Sequence, residues 1–412
     1  MPESFLKGRQ ALYIKDLSYE INEKKILHDI NLKINAGEFV GFIGPNGAGK
    51  TTLLKCINRI NKYKKGQIEI NDQNIENIKD REIAREVSIM HQNTNISFPF
   101  PSIDVVLMGR YPYKRRFEPD TKEDYEIAKR NMEYTNTIKF EHSPITDISG
   151  GERQRILFSK VLTQDTDLIL LDEPTASLDI NHQEQIFRYT RELCDSGRTA
   201  IVAIHELNIA AKYCSRLVLL KDGRILADGT PEEVMTAENL SKAYGVNALV
   251  YRNRITGQLD FYIYGLTRNK VKKRVHVIGG GGSASGLIRY LFVKGYKITG
   301  GVFAHGDSDL QCAEVYGIDY VVCKPFSEIG KEAFDENVEM IKKADFTVLC
   351  NMPFGMLNIK NLEAAKNAEN LIIIEDDPPE SRDYTGGKAL ADYYSLKKNS
   401  IVTTSARLHE IL

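Results

Sequence analysis

The sequence predicts an α/β protein with two domains in series. The run FVGFIG at residues 39–44 is typical of a buried strand that ends in glycine, and TTLLKCINRI after it carries apolar residues at helical spacing. The runs DLILLDEP and TAIVAIHE are typical of further buried strands in a mainly parallel sheet. A chain of 412 residues also exceeds what one hydrophobic core usually organises. These observations favour strand, loop and helix units in two domains.

Composition restricts the partners and the compartment. The formal net charge of −1 gives no overall basic field, so we expect no nucleic-acid partner. We interpret the short basic run YPYKRRF as a solvated or partner-facing loop. The first residues lack the apolar region of a signal peptide, and no run approaches the roughly 20 apolar residues of a membrane span. The six cysteines form no C-x-x-C pair, which favours reduced core residues over a metal site.

Residues 77–148 differ from the flanking sequence because they are polar, helix-rich and punctuated by prolines. We predict a helical insert there, within the α/β core. Two hairpins are predicted after it, turning at Asp222-Gly223 and at Thr256-Gly257, before the basic segment RNKVKKR. The domain boundary is therefore expected near residues 268–273, which gives domains at 1–268 and 272–412.

A complete G-x-x-x-x-G-K-[ST] motif, GPNGAGKT, joins the first buried strand to its helix. Its glycines let successive backbone N–H groups and the helix N-terminus face phosphate oxygens, and Lys50 adds a positive charge. The Thr51 hydroxyl is expected to bind Mg²⁺. Taken alone, the motif predicts nucleotide binding and no particular enzyme class. The residues predicted to contact the nucleotide here are Gly44, Pro45, Asn46, Gly47, Ala48, Gly49, Lys50, Thr51 and Thr52.

A second motif assigns the class. ISGGERQ at residues 148–154 resembles the signature of the ATP-binding cassette (ABC) family, and it precedes LILLDEP at that family's spacing. The resemblance covers residues 11 to about 265 and departs from the usual signature only in having Ile148 where leucine is common. It implies a P-loop NTPase fold with a helical insert, ATP and Mg²⁺ as ligands, and ATP hydrolysis.

The resemblance also implies a homodimer. In the ABC family two cassettes enclose two ATP molecules, so that Ser149, Gly150 and Gly151 would hold the γ-phosphate bound by the partner's P-loop. The segment SLD at 177–179 is similar to the loop that couples the two sites, and Asp179 would belong to the nucleotide-contacting set.

Hydrolysis is assigned to residues at strand ends. The strand LILLDEP delivers Asp172 for Mg²⁺ and Glu173 as the expected general base. By resemblance, His205 after the strand AIVAI would contact the γ-phosphate, and Gln92 in SIMHQN would sense Mg²⁺ and contact the membrane subunit. Tyr19 is the candidate for stacking on adenine, with Tyr13 as the fallback and a half-buried strand tyrosine as the remaining alternative.

PSIDVVLMGRYPY at 101–113 is similar to the segment after this glutamine in importers of iron-siderophore complexes, cobalamin and heme. This implies separate permease subunits, indirectly a substrate-binding protein, and a peripheral position on the inner face of the membrane. Val105, Val106 and Met108 either face the permease or, for at least two of them, belong to the core. The alternatives are a soluble ABC ATPase without transport and a nucleotide-sensing regulatory ATPase. The choice among the three cargoes stays open.

From Val275 the α/β pattern restarts as RVHVI, a glycine cluster and an apolar helix, followed by the runs YVVC, FTVLC and LIIIE. We predict a Rossmann-like parallel α/β domain, with a regulatory role preferred over a dehydrogenase. Its glycines fit two overlapping phosphate-binding spacings, which makes a dinucleotide a possible ligand, although Asp307 and Asp309 come late for a ribose contact. The residues of this possible second nucleotide site are Gly279, Gly281, Gly282 and Gly286, with Gly280 in the alternative spacing.

Overall fold

The computed structural model describes residues 9–92, 96–175, 178–253, 256–263 and 273–412. The chain divides into two compact units, one formed by Met1–Gly245 with Arg252–Phe261 and the other by Val246–Tyr251 with Tyr262–Leu412. Nearly all of the boundary expected at 268–273 lies outside the described residues. Among the residues described, no helix combines the length and the apolar character that a membrane crossing requires.

The first unit contains two sheets and their helices. Its strands are β1 (Gln10–Ile21), β2 (Lys24–Asn35), β3 (Phe39–Ile43), β4 (Lys65–Ile70), β5 (Gln73–Asn74), β6 (Val87–Met90), β7 (Leu168–Asp172), β8 (Thr199–Ala203), β9 (Arg216–Lys221) and β10 (Arg224–Gly229). Its helices are α1 (Lys50–Ile57), α2 (Asp80–Glu86), α3 (Ser102–Leu107), α4 (Lys122–Tyr134), α5 (Gly150–Thr163), α6 (Ile180–Asp195), α7 (Leu207–Tyr213), α8 (Pro231–Val234) and α9 (Ala237–Tyr244).

The central sheet has the order β10-β9-β3-β8-β7-β6, and all its neighbours pair in parallel except β10 with β9. Apolar side chains from both of its faces are buried in two core clusters, as expected for strands without polar alternation. Because β3, β6, β7 and β8 are parallel, the residues that follow their carboxyl ends meet at one edge. That edge carries the site.

A smaller antiparallel sheet, ordered β2-β1-β4-β5, belongs to the same unit. Tyr19 on β1 pairs with Leu27 on β2 and packs partly buried against the core cluster shared with β3. Tyr19 is therefore a half-buried tyrosine on a strand, which is one of the interpretations considered from the sequence.

The hairpin prediction at Asp222-Gly223 is confirmed. Strands β9 and β10 pair around these two residues, whose φ angles of +47° and +72° are those of a tight hairpin turn. A side chain at Gly223 would come within 2.1 Å of the Ile26 carbonyl oxygen, so the close approach requires glycine. The second predicted hairpin is also present, as the two-stranded sheet of β11 (Ala248–Arg252) and β12 (Leu259–Ile263).

The prediction of a helical insert over 77–148 was wrong at its start. Residues 87–90 form β6, the edge strand of the central sheet, and the helical layer with α3 and α4 begins only after residue 96. The four-residue strand was hidden because it stands in a polar stretch directly after α2. Val105 and Val106 are fully buried, which confirms the core interpretation for two of the three apolar residues considered.

The second unit has a six-stranded sheet ordered β15-β14-β13-β16-β17-β18, in which every neighbouring pair is parallel. Separate apolar clusters pack on its two faces. Its strands are β13 (Arg274–Ile278), β14 (Lys297–Ala304), β15 (Asp319–Cys323), β16 (Phe346–Leu349), β17 (Leu371–Ile374) and β18 (Ile401–Thr403). Its helices are α10 (Ser285–Lys294), α11 (Ser308–Tyr316), α12 (Lys331–Lys342), α13 (Lys360–Ala365) and α14 (Lys388–Lys397).

Candidate active site

The loop between β3 and α1 adopts a conformation that only its glycines permit. Gly44, Gly47 and Gly49 have φ angles of +142°, +79° and +102°. A side chain at Gly44 would also come within 2.1 Å of the Leu220 carbonyl oxygen. Glycine at these three positions therefore keeps the loop backbone accessible where it leads into the N-terminus of α1. This arrangement suits the binding of phosphate oxygens.

Lys50 lies at the start of α1 and is buried. Its Nζ donates hydrogen bonds to the carbonyl oxygens of Gly44 at 2.7 Å and Pro45 at 3.1 Å. Burial lowers the pKa of this amine, and the nearby carboxylates of Glu173 and Asp172 oppose that shift. The loop therefore carries a partly desolvated cation that is oriented by its own backbone.

Thr51 and Asp172 form the oxygen pair expected of a Mg²⁺ site. The Thr51 hydroxyl donates to Asp172 Oδ1 at 2.7 Å, and Asp172 ends β7 almost completely buried. Burial raises the pKa of the Asp172 carboxyl, the hydrogen bond from Thr51 lowers it, and the charge of Glu173 raises it again. A hydroxyl and a carboxylate are hard oxygen ligands of the kind Mg²⁺ prefers, so these residues fit the metal.

Glu173 connects three strand ends. Its Oε1 contacts His205 Nε2, and its Oε2 accepts a hydrogen bond from Gln92 Nε2. Its backbone φ is +49°, a strained value for a residue with a side chain, and its N–H donates to the Ala203 carbonyl at 3.1 Å. The structure therefore brings together the three residues that the sequence analysis assigned to hydrolysis.

A cavity of about 530 Å³ covers this edge. Neither Tyr19 nor Tyr13 is among the described residues that line it, and stacking of either tyrosine on adenine stays a prediction. The sequence analysis did not assign the β1–β2 hairpin residues or the Asp222-Gly223 turn to this site, because they reach the loop only through the tertiary fold. The lining residues are Lys24, Lys25, Ile26, His28, Asn46, Gly47, Ala48, Gly49, Lys50, Thr51, Thr52, Glu173, His205, Asp222 and Gly223.

The signature residues lie elsewhere on the unit. Ser149 caps α5: its Oγ accepts from the Glu152 N–H at 3.3 Å and donates to the Glu152 carboxylate at 2.7 Å. Gly150 and Gly151 form the first turn of α5, and a side chain at Gly151 would come within 3.3 Å of Leu178. None of the three lines the P-loop cavity. One chain therefore does not bring its own signature to its own P-loop.

Asp179 caps α6 and is likewise absent from the lining of that cavity. Its carboxylate accepts from the His182 N–H at 2.9 Å, and His182 Nδ1 lies 2.7 Å from it. The hydrogen bond from the His182 backbone lowers the pKa of Asp179, and so does the His182 side chain. Ser177, the first residue of the predicted coupling loop, lies outside the described residues.

The glycine loop of the second unit differs from the phosphate site predicted there. The fully buried Asp309 carboxylate accepts hydrogen bonds from the N–H groups of Ala284 and Ser285, at 3.1 and 2.8 Å, where α10 begins. Asp307 accepts from the Gly281 N–H at 2.9 Å. The N–H groups of Gly281, Ala284 and Ser285 are thus already paired with the protein's own carboxylates, which gives no support to a dinucleotide phosphate held by Gly279, Gly281, Gly282 and Gly286.

The central sheet, the glycine loop and the Thr51–Asp172 pair define a P-loop NTPase. The model of the ABC transporter family matches residues 27–176, and that of the MJ0874 family matches residues 298–409. The cobalamin import ATP-binding protein BtuD of Halobacterium salinarum is 35% identical over 321 residues, which cover 77% of this chain and 80% of that protein.

A further relative and a solved structure are also similar. The probable siderophore transport system ATP-binding protein YusV of Bacillus subtilis is 35% identical over 251 residues, 61% of this chain and 91% of that protein. The ADP conformation of MJ1267, an ATP-binding cassette of an ABC transporter, superimposes with a TM-score of 0.52 at 23% identity, covering 57% of this chain and 97% of that one. The chain belongs to the ABC transporter family, as one of its ATPase subunits.

Proposed function

We propose that this chain forms a homodimer that hydrolyses Mg-ATP at two composite sites and drives import of a metal chelate through separate membrane permease subunits. The proposal rests on the observation that the P-loop residues and the signature residues lie at different places on one chain. Lys50, Thr51, Asp172 and Glu173 share one edge of the sheet, whereas Ser149 and its glycines do not line that cavity.

Glu173 is the proposed general base. Its two oxygens are held between His205 and Gln92, which orients the carboxylate while leaving it on the wall of the cavity. Such an arrangement suits proton removal from a water that attacks the terminal phosphate. A bound Mg²⁺ would take Thr51 and Asp172 as protein ligands, with Gln92 beside them, and would supply charge that neutralises phosphate oxygens.

The homodimer follows from the position of the signature. Ser149 Oγ donates to Glu152, and neither Ser149 nor the first turn of α5 lines the P-loop cavity of its own chain. A helix N-terminus with a serine cap suits a phosphate, and a second copy is the simplest source of one. Each site would then consist of the P-loop of one chain and Ser149 of the other.

Import of a chelate is supported by the relatives and by the surface after Gln92. The two relatives are a cobalamin import protein and a probable siderophore transport protein. The match to the first of them covers 321 residues and so extends beyond residues 1–263. Phe98 and Tyr111, which are 69% and 60% exposed, give the helical layer an apolar surface fit for a permease helix. A permease-bound subunit would sit on the cytoplasmic face of the membrane, indirectly linked to a substrate-binding protein.

For the second unit we propose a Rossmann-like fold with a regulatory role. Its strand order, third-second-first-fourth-fifth-sixth in chain sequence, is that of doubly wound nucleotide-binding sheets, and both of its faces are covered. Strand order supports the fold and says nothing of the ligand. The comparisons give no support to a dinucleotide.

Mixing two inactive variants tests the composite site. Lys50→Ala removes the P-loop cation and Ser149→Ala the signature hydroxyl, so each homodimer should be inactive. If the sites form across the dimer, a mixed dimer keeps one intact site, and an equal mixture should recover up to about a quarter of wild-type ATPase activity. No recovery in a mixture proven by crosslinking to contain mixed dimers would contradict the proposal.

The cargo is tested with the cognate permease in proteoliposomes. ATP-dependent accumulation of cyanocobalamin, hemin or a ferric siderophore should be seen for one cargo class and be lost with Glu173→Gln. ATPase activity that no permease or cargo stimulates would instead favour a soluble ATPase without transport.

A further inference from the structure

A second cavity, of about 370 Å³, lies in the second unit at the carboxyl ends of β13, β14 and β15. The chain order in the sheet reverses between β13 and β16, since β13 has β14 on one side and β16 on the other. Pro353 and Gly355, which follow β16, also line the cavity, so it lies at this reversal. Ligands of open parallel sheets bind in the crevice at this point. The walls include Val302, Ala304 and Ile329, which makes the interior mainly apolar.

The walls are braced by hydrogen bonds. Asn358 accepts from the Gly355 N–H at 2.8 Å and donates to the Pro353 carbonyl at 2.9 Å, so it fixes one side of the cavity. Lys360 Nζ donates to the Ile329 carbonyl at 2.6 Å and ties that side to the segment after β15. The cavity is therefore a formed feature of the fold.

Asn361 forms part of this wall and is only 1% exposed. Neither Nδ2 nor Oδ1 of its side chain has a hydrogen-bond partner among the described residues. Burying an amide without partners is unfavourable, and buried polar groups in folded proteins nearly always have them. A residue of this kind beside a cavity indicates that its partner is a ligand.

The ligand is not an anion. Asp307 lines the cavity, and its carboxylate already accepts the Gly281 N–H, while Asp309 accepts the N–H groups at the start of α10. A phosphate at this position would meet two carboxylates that already accept these backbone N–H groups. The amide of Asn361, which both donates and accepts, is the buried polar group of the wall that has no partner among the described residues.

The rim favours a ligand with apolar faces. Phe326 and Tyr384 line the cavity and are 95% and 75% exposed, and Met356 and Leu357 are half-exposed beside them. Phe326 also has a φ of +56°, a value unfavourable for an aromatic residue. Exposed aromatic side chains around an apolar cavity are typical of ligand sites.

We propose that this cavity binds an uncharged ligand whose apolar body lies against the rim and whose carboxamide, or the equivalent donor–acceptor edge of a nucleobase, pairs with Asn361. Amide side arms of a corrinoid and the edge of adenine offer this same chemistry. The proposal does not depend on the importer function, because every residue in it belongs to the second unit.

The test is calorimetric titration of the full chain, with Mg-ADP saturating the P-loop site throughout. The probes are cyanocobalamin, which carries carboxamides, adenosine, AMP, and hemin, a macrocycle with carboxylates and no amide. Cyanocobalamin or adenosine should bind saturably. The probe that binds shows whether the ligand group that pairs with Asn361 is a carboxamide or the edge of a nucleobase. Hemin should not bind, and AMP should bind no more tightly than adenosine.

Asn361→Leu keeps the size of the side chain and removes its hydrogen bonds, so affinity should fall at least about tenfold. Asn367→Leu, an exposed position shortly after α13, is the matched control and should change nothing. Phe326→Gly is a second variant, for use if Asn361→Leu does not fold. It removes apolar area from the rim and relieves the positive φ of this residue. We expect weaker ligand binding and no decrease of the thermal unfolding midpoint. No binding by any probe, equal affinity in Asn361→Leu, or tighter binding of AMP than adenosine would overturn the proposal.

Discussion

The hydroxyl of Thr51 lies 2.7 Å from Asp172 Oδ1, although 121 residues separate the two in the chain. Thr51 lies in the first turn of α1, directly after the P-loop, and Asp172 ends β7, so the pair joins two motifs at the carboxyl edge of one parallel sheet. The sheet thereby sets the distance between these two oxygen atoms.

Replacing Thr51 with valine should therefore reduce the Mg²⁺ dependence of nucleotide binding. Valine has nearly the same shape but lacks the hydroxyl, so we expect the affinity for Mg-ATP to fall at least about 10–100-fold, the loss that even indirect partners of metal sites produce. Titration with a fluorescent ATP analogue, with and without Mg²⁺, measures the effect. Thr51→Ser should behave like the wild type, and full Mg²⁺ dependence in Thr51→Val would contradict the assignment.

Gly44 and Gly47 should respond differently to alanine. Both have positive φ, which costs a residue with a side chain roughly 1–2 kcal/mol. At Gly47 no atom lies within 4 Å of the added carbon, whereas at Gly44 the Leu220 carbonyl oxygen lies at 2.1 Å. Gly44→Ala should thus lower the free energy of unfolding clearly more than Gly47→Ala in urea denaturation, and equal losses would count against this loop geometry.

His276 makes the stability of the second unit depend on pH. Burial lowers its pKa to about 4 from 6.5, and its hydrogen bond to Asn337 only partly opposes this. Because the unfolded chain binds the proton more readily, stability is full above about pH 6.5 and decreases as the pH falls toward 4, by about 3 kcal/mol. Urea unfolding between pH 7 and 4.5 measures the decrease. His276→Gln should remove most of it, and an unchanged profile would contradict the buried neutral imidazole.

Much of the fold was predictable because it depends on local signals. Apolar runs ending in glycine identified β3, and the Asp222-Gly223 pair identified a hairpin whose turn does have two positive φ angles. The strand β6 was missed because four residues in a polar stretch give too short a pattern. Motifs likewise identified Gln92, Glu173 and His205, although only the fold explains why they meet.

The errors share a physical origin in tertiary structure. Lys24 and Ile26 reach the P-loop cavity through the β1–β2 hairpin, which no local pattern encodes. In the second unit the glycine spacing predicted a phosphate, but Asp309 occupies the start of α10 from 25 residues away. A glycine-rich turn defines a backbone shape, and the residues that fill it come from elsewhere in the chain.

The central claim is that Glu173 removes the proton of the attacking water, and the ATPase rate of Glu173→Gln tests it most directly. The amide keeps the size of the side chain but is not a base, so turnover should fall about 10²–10⁴-fold while Mg-ATP still binds. Glu206→Gln, an exposed carboxylate beside His205, serves as the matched control and should hydrolyse at the wild-type rate. A wild-type rate in Glu173→Gln itself would contradict the account.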